Sequence, residues 1–287
     1  MLSTEQKHKI IGQMITSGQG RQRLAASMIS PLRQRRDYTS CGRKAFYVEQ
    51  LPDGAMPVYD KDPNVVAYMV AEEGENLISV AKSQRIHVPL FEIASNPQIA
   101  LTEIKARRFD LVDRALDRAK AEIQAAEDTR VFATMDATAA DPTNPNADIV
   151  TTGALTSSVL IDAFGNIEQN DLRVANVFMN AKDFADLRKW DRDTLDPITQ
   201  GELLKTGYMA NIYGAKIIVS RIVPVGTVYI CAEPEFFGRI AVRTELTVLS
   251  ADDPVGRKIG FSVFENIGVA CHNPLGIQRV IIDRADA

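Results

Sequence analysis

The chain has 287 residues and a formal net charge of −4, and 45% of its residues are hydrophobic. That composition supports a sizeable buried core in one large or two smaller domains. It excludes a disordered chain, and no apolar run approaches the roughly 20 residues that span a bilayer. The first fifteen residues alternate polar and apolar and lack the apolar centre of a secretory signal, so cytoplasmic synthesis is expected.

The charge is unevenly spread. Residues 1–44 carry nine Lys or Arg against two acids, which is +7 and leaves −11 for the remainder. A basic arm on an acidic body suits nucleic acid or an acidic neighbouring subunit. Interleaved aromatics would favour nucleic acid, but the arm offers only Tyr38. Ile10, Ile11, Met14 and Ile15 form a helical stripe too short to bury itself, so the arm needs a surface to dock on.

Residues 44–82 read as a long, protruding hairpin. Lys44 to Leu51 is a predicted strand with Phe46 and Tyr47, Pro52-Asp53-Gly54 is a turn, and Val65 to Val70 resumes an extended pattern. Too few apolar residues lie here for a core of their own, so the loop gains order from neighbours. Arg85 to Phe91 alternates, with Ile86, Val88 and Leu90 on one face, and Ser95-Asn96-Pro97 ends that strand.

A long amphipathic helix is predicted from Asp110 to Met135. Val112, Leu116, Ala119, Ile123 and Ala126 make one narrow stripe, with Arg114, Arg118, Lys120, Glu122 and Glu127 on the solvated side and Asp110 as N-cap. Its length of about 39 Å suits a spine. The stretch Asp141 to Asn146 marks a boundary. An α/β pattern follows: helix at Leu160 to Phe164, strand at Val174 to Met179, helix at Ala181 to Trp190. Strands are then predicted at Lys216 to Val223, Val228 to Cys231, Ile240 to Val242, Leu246 to Leu249, Phe261 to Phe264 and Ile277 to Ile282, with a turn or strand around Val269.

No catalytic constellation interrupts this order. His8, His87 and His272 are far apart, and no zinc, Walker, GxSxG or GxGxxG motif occurs. Cys41, Cys231 and Cys271 form no CxxC pair and read as buried thiols. Asp191-Arg192-Asp193 reads as a solvated loop tip, and Cys271-His272 as neighbours pointing to opposite faces of a strand. Trp190 reads as core. No catalytic, cofactor-binding or metal-ligating residue is assigned, and no cofactor is expected.

Two segments carry a resemblance. Thr206 to Ser220 followed by Val223-Pro224-Val225-Gly226-Thr227-Val228-Tyr229 is similar to the glycine, strand, serine, proline-glycine, strand segment of tailed-phage major capsid proteins with the Hong Kong 97-type fold. Phe264 to Pro274 followed by Ile277 to Ile282 is similar to that family's closing segment. The resemblance covers roughly residues 44–283, and the order of parts carries more of it than any one match.

The resemblance implies an α+β fold. An N-terminal arm (1–43) is followed by an extended loop (44–82). The peripheral domain with its spine helix takes 83–145 and 240–260, and the axial α/β domain takes 146–239 and 261–287. It implies a non-enzymatic subunit that assembles as hexamers and pentamers into the icosahedral head shell around double-stranded DNA. The shell protein would be assembled in the host cytoplasm and found in the virion, with scaffolding, portal and decoration proteins as partners and no membrane. The residues expected at contacts between subunits are Arg21, Arg23, Arg33, Arg35, Arg36, Phe46, Tyr47, Tyr59, Lys61 and Tyr68. Some members join a loop lysine to an asparagine before the closing strand. Here Lys61 supplies the lysine, but Gly256-Arg257-Lys258-Ile259 holds no asparagine, so no cross-link is expected. With only a short arm from Met1, a separate scaffolding protein is expected. The nearest alternative is an encapsulin shell of the same fold, which the long basic arm and loop disfavour. A remoter one is an enzyme with a site around Asp191, Asp193 and His272.

Overall fold

The computed structural model describes residues 38–52, 54–60, 85–102, 110–142, 144–190 and 211–284. In chain order its strands begin with β1 (Tyr47–Gln50), β2 (Val58–Asp60), β3 (Arg85–His87), β4 (Phe91–Ser95) and β5 (Gln98–Ala100). Helix α1 (Asp110–Ala139), β6 (Ile149–Thr152), α2 (Ser157–Glu168), β7 (Val174–Met179) and α3 (Ala181–Leu187) follow. Then come β8 (Asn211–Ile212), β9 (Ala215–Val219), β10 (Thr227–Ala232) and the one-turn α4 (Pro234–Phe237). The chain closes with β11 (Gly238–Ser250), β12 (Lys258–Cys271) and β13 (Ile277–Asp283).

The residues divide into two compact units. The larger takes Ser40–Ile93, Gln124–Glu245 and Glu265–Ala287. It is built on a mixed sheet ordered β6-β13-β10-β7-β9-β8. Residues along its central strands alternate between two cores, as the two-residue period of a strand requires. On β7 and β10, Val177, Met179, Val228 and Ile230 join the core made with Leu160, Phe164 and Ile167 of α2 and Phe184 and Leu187 of α3. Phe178, Tyr229 and Cys231 face the other way, into the core made with Val131, Phe132 and Met135 of α1. A sheet covered on both faces explains why these strands read as near-continuous apolar runs.

The turn between β9 and β10 shows why its residues are fixed. Gly226 has φ 84°, and a Cβ there would lie 2.9 Å from the Ile282 carbonyl. Only glycine fits both the left-handed backbone and that approach. The Gly226 N–H donates to both oxygens of buried Asp183, at 3.2 and 3.0 Å.

The smaller unit takes in Ala94–Ile123 and Leu246–Phe264. In it β5 runs antiparallel to the start of β12, pairing Ile99 with Ile259. The Phe261 N–H donates to the Pro97 carbonyl at 3.1 Å. The β11–β12 connection is closed by the Asp253–Lys258 bridge, and the Asp253 carboxylate accepts from the Val255 and Gly256 N–H groups at 3.1 and 2.9 Å.

Several expectations need correction. Ile240 to Val242 and Leu246 to Leu249 are one strand, β11, and Phe261 to Phe264 lies within a 14-residue strand, β12, that also contains Val269. The Arg85 to Phe91 strand is divided, because Pro89 lacks the N–H that a ladder needs. The first strand of the expected hairpin is not paired within residues 44–82: β1 lies parallel to β11, with Tyr47 opposite Arg239. Beyond it, β2 pairs antiparallel with β3. Val65 to Val70 lies outside the described residues. Glu127, expected in solvent, is buried beside Asp128.

Candidate functional site

Among the described residues, no group of three or more His, Cys, Asp or Glu is arranged to hold a metal ion. No helix among them is long and apolar enough to cross a membrane. The Cys271 thiol lies against the Phe237 and Asn273 carbonyls, at 3.5 and 3.7 Å. The Trp190 indole donates to the Leu155 carbonyl at 2.9 Å and packs on the α2–α3 core, as its expected core role requires. Asp191, Asp193 and His8 lie outside the described residues.

What the larger unit does present is a recessed aromatic surface. A cavity of about 1200 Å³ is lined by β1, β2 and β3 residues on one side and by α4 and the β12–β13 connection on the other. Tyr47 and Tyr59 share one cation: the Arg239 guanidinium sits 5.6 Å from the first ring centroid and 5.1 Å from the second. Arg239 is also held by Glu49 at 3.1 Å. Burial, then the Glu49 carboxylate, push the Tyr59 phenol up to about 12, so it stays neutral. Phe236 completes the wall, 52% exposed, with Tyr47 at 45%. Tyr47, exposed yet held by the Arg239 cation that Glu49 fixes, is preorganised for contact.

The predicted contact residues thus separate. Tyr47 and Tyr59 are brought together on this wall. Phe46, one residue earlier, points inward instead and packs on Phe237 with ring centroids 4.9 Å apart. Its ring belongs to the chain's own core. Arg21, Arg23, Arg33, Arg35, Arg36, Lys61 and Tyr68 lie outside the described residues. Sequence reasoning missed Phe236 and Arg239. The Phe236-Phe237 pair was a usable signal, since adjacent positions on a helical turn differ by about 100° and only one ring can face a core.

A second feature is the polar seat under the 3₁₀ turn Gly42–Lys44. Asp128 of α1 accepts from the Ser40 hydroxyl at 2.9 Å and from the Cys41 and Gly42 N–H groups at 2.8 and 2.9 Å. Arg43 reaches three carboxylates: Glu127 at 2.6 Å, Glu245 at 3.3 Å and Glu265 at 3.5 Å. Burial opposes the charge on Arg43, but the Glu127 and Glu245 carboxylates together outweigh it and keep the guanidinium protonated. Further along α1, Asp136 accepts from Tyr229 at 2.9 Å and from Arg279 at 2.6 Å, while Arg279 also grips Asp148. At the end of β13, Arg284 bridges Asp183 and Asp186 at 2.7 and 2.8 Å. These ion pairs fasten elements to one another.

Residues 98–280 match the family model described as phage capsid protein. The chain belongs to the phage capsid protein family. No curated protein matches it. Solved structures show the same fold. The capsid of the cyanophage P-SCSP1u aligns at a TM-score of 0.73 and 12% identity, over 90% of this chain and 92% of that one. Mycobacterium phage Che8 aligns at 0.66 and 14%, over 88% and 94%. The virus-like particle from Pyrococcus furiosus aligns at 0.51 and 17%, over 83% and 90%. The phage capsid protein is therefore a structural subunit with the Hong Kong 97-type fold expected from its sequence.

Proposed function

We propose that this phage capsid protein assembles as hexamers and pentamers into the icosahedral head shell of a tailed phage, closed around double-stranded DNA. Assembly takes place in the host cytoplasm, with a scaffolding protein and a portal, and the chain performs no catalysis. The axial domain holds 146–239 and 261–287 and the peripheral domain 83–145 and 240–260; the arm (1–43) and loop (44–82), apart from the stretch from Ser40 to Gln50 that is seated on this chain, lie across neighbouring subunits.

One observation supports this reading most. The larger unit has a filled core on each face of its sheet, yet it leaves Tyr47 and Phe236 exposed, with Tyr47 and Tyr59 held over a fixed arginine. Rings already paid for by order gain from being covered, at about 25 cal/mol per Å² of apolar area. Repeating that contact around closed symmetry lets one chain supply both sides. Arg21, Arg23, Arg33, Arg35, Arg36, Lys61 and Tyr68 are assigned to such contacts, alongside Tyr47 and Tyr59. Their side chains combine charge with aromatic area.

The test is the content of purified particles. Nuclease-protected double-stranded DNA is expected. Particles that carry a folded cargo enzyme and no DNA would replace the head shell with a protein compartment. Denaturing gels should show monomer only, since no cross-link is expected at Lys61.

A further inference from the structure

The seat under the Gly42–Lys44 turn holds more negative charge than its one arginine can match. Glu127, Asp128 and Glu265 are buried, while Glu245 is half exposed at the edge. Glu265 is the least well served. It is 1% exposed, its Oε2 meets Arg43 only at 3.5 Å, and its Oε1 is buried without a hydrogen-bond partner among the described residues. Arg43 spends its closer contacts on Glu127 and Glu245, at 2.6 and 3.3 Å. The charged groups facing Glu265 are therefore Arg43 from the turn, Glu127 and Asp128 from α1, and Glu245 from β11. A buried carboxylate so placed is costly when ionised and comfortable when protonated.

We infer that Glu265 is a proton-operated latch on the Ser40–Ala45 turn: protonated, it lets the turn seat on α1, and ionised, it drives the turn open to admit water. The geometry is suited to this. The turn is attached through Asp128 and Arg43, and Arg43 is the group that covers Glu265. Burial, then the Glu127 charge, raise the Glu265 carboxyl from an ordinary 4.5 to about 7. The sign follows by linkage. The seated state binds the extra proton, so seating is strongest below about 4.5 and is lost as pH rises through about 7.

Hydrogen exchange on the purified full-length protein tests it, with rates corrected for intrinsic pH dependence. The reporters are the Cys41 and Gly42 amides, which Asp128 holds. From pH 5.5 to 8.5 their opening should rise roughly 30-fold, with a midpoint near 7, while β7 and β10 amides stay protected. Glu265→Gln should flatten that rise to under about threefold. A flat wild-type profile overturns the latch without any variant. So does a Glu265→Gln profile as steep as wild type, or loss of β7 and β10 protection in step with the turn.

Discussion

Asp128 does at the residue scale what a cap does for a helix: one buried carboxylate satisfies two backbone N–H groups and a hydroxyl of a segment more than eighty positions earlier. Asp128→Ala would leave those donors buried and unpaired. It should cost about 2–4 kcal/mol, read as a lowered urea midpoint of the unassembled subunit. Gly42 is constrained by the same seat. A Cβ there would lie 2.6 Å from the Asp128 Oδ1 and 3.1 Å from Val131, so Gly42→Ala should lose about 1–3 kcal/mol through forced separation of the turn from α1. Tyr229→Phe should be milder, about 1 kcal/mol, because Arg279 still holds Asp136 when the phenol is gone. Burial, then Asp136, hold that phenol above its usual range, so Tyr229 should stay protonated through the neutral range. An ultraviolet titration that showed tyrosinate at Tyr229 in neutral solution would contradict this.

At the scale of elements, α1 anchors one core through Phe132, whose ring lies 5.6 Å from Phe178 and 6.1 Å from Tyr229. Phe132→Ala should cost about 3–5 kcal/mol, well above Tyr229→Phe, when the two are compared by denaturant unfolding. Much of this layer was legible in the sequence. β7 was read to the residue, and α1 from its stripe, because both signals are local and periodic. What escaped were pairings set by distant partners. Ile240 to Val242 and Leu246 to Leu249 are predicted as separate strands, yet β11 runs on through Arg243, Thr244 and Glu245. The parallel partner of β1 lies almost two hundred residues away, beyond any local pattern. Glu127 left a signal that was misread: it sits four residues before Val131 and eight before Met135, both buried, so it shares the inward face. A glutamate at such a position calls for a cation, and Arg43 supplies it.

For the whole molecule, order of parts was the informative level, and the candidate surface was only partly readable. Tyr47 and Tyr59 are expected at contacts from the sequence, whereas Arg239 and Phe236 join them on one wall only once β1, β11 and α4 are placed together. Phe236→Asp puts a charge on the exposed wall without touching either core. It should leave the subunit folded by circular dichroism and lower the yield of shells at least tenfold by sedimentation. The same substitution at buried Phe237 should instead unfold the subunit. Cryo-electron microscopy of the purified protein across a range of concentrations tests shell formation most directly. Closed icosahedral shells of pentamers and hexamers are predicted. A compact monomer at every concentration, with the aromatic wall left bare, would rule out shell assembly.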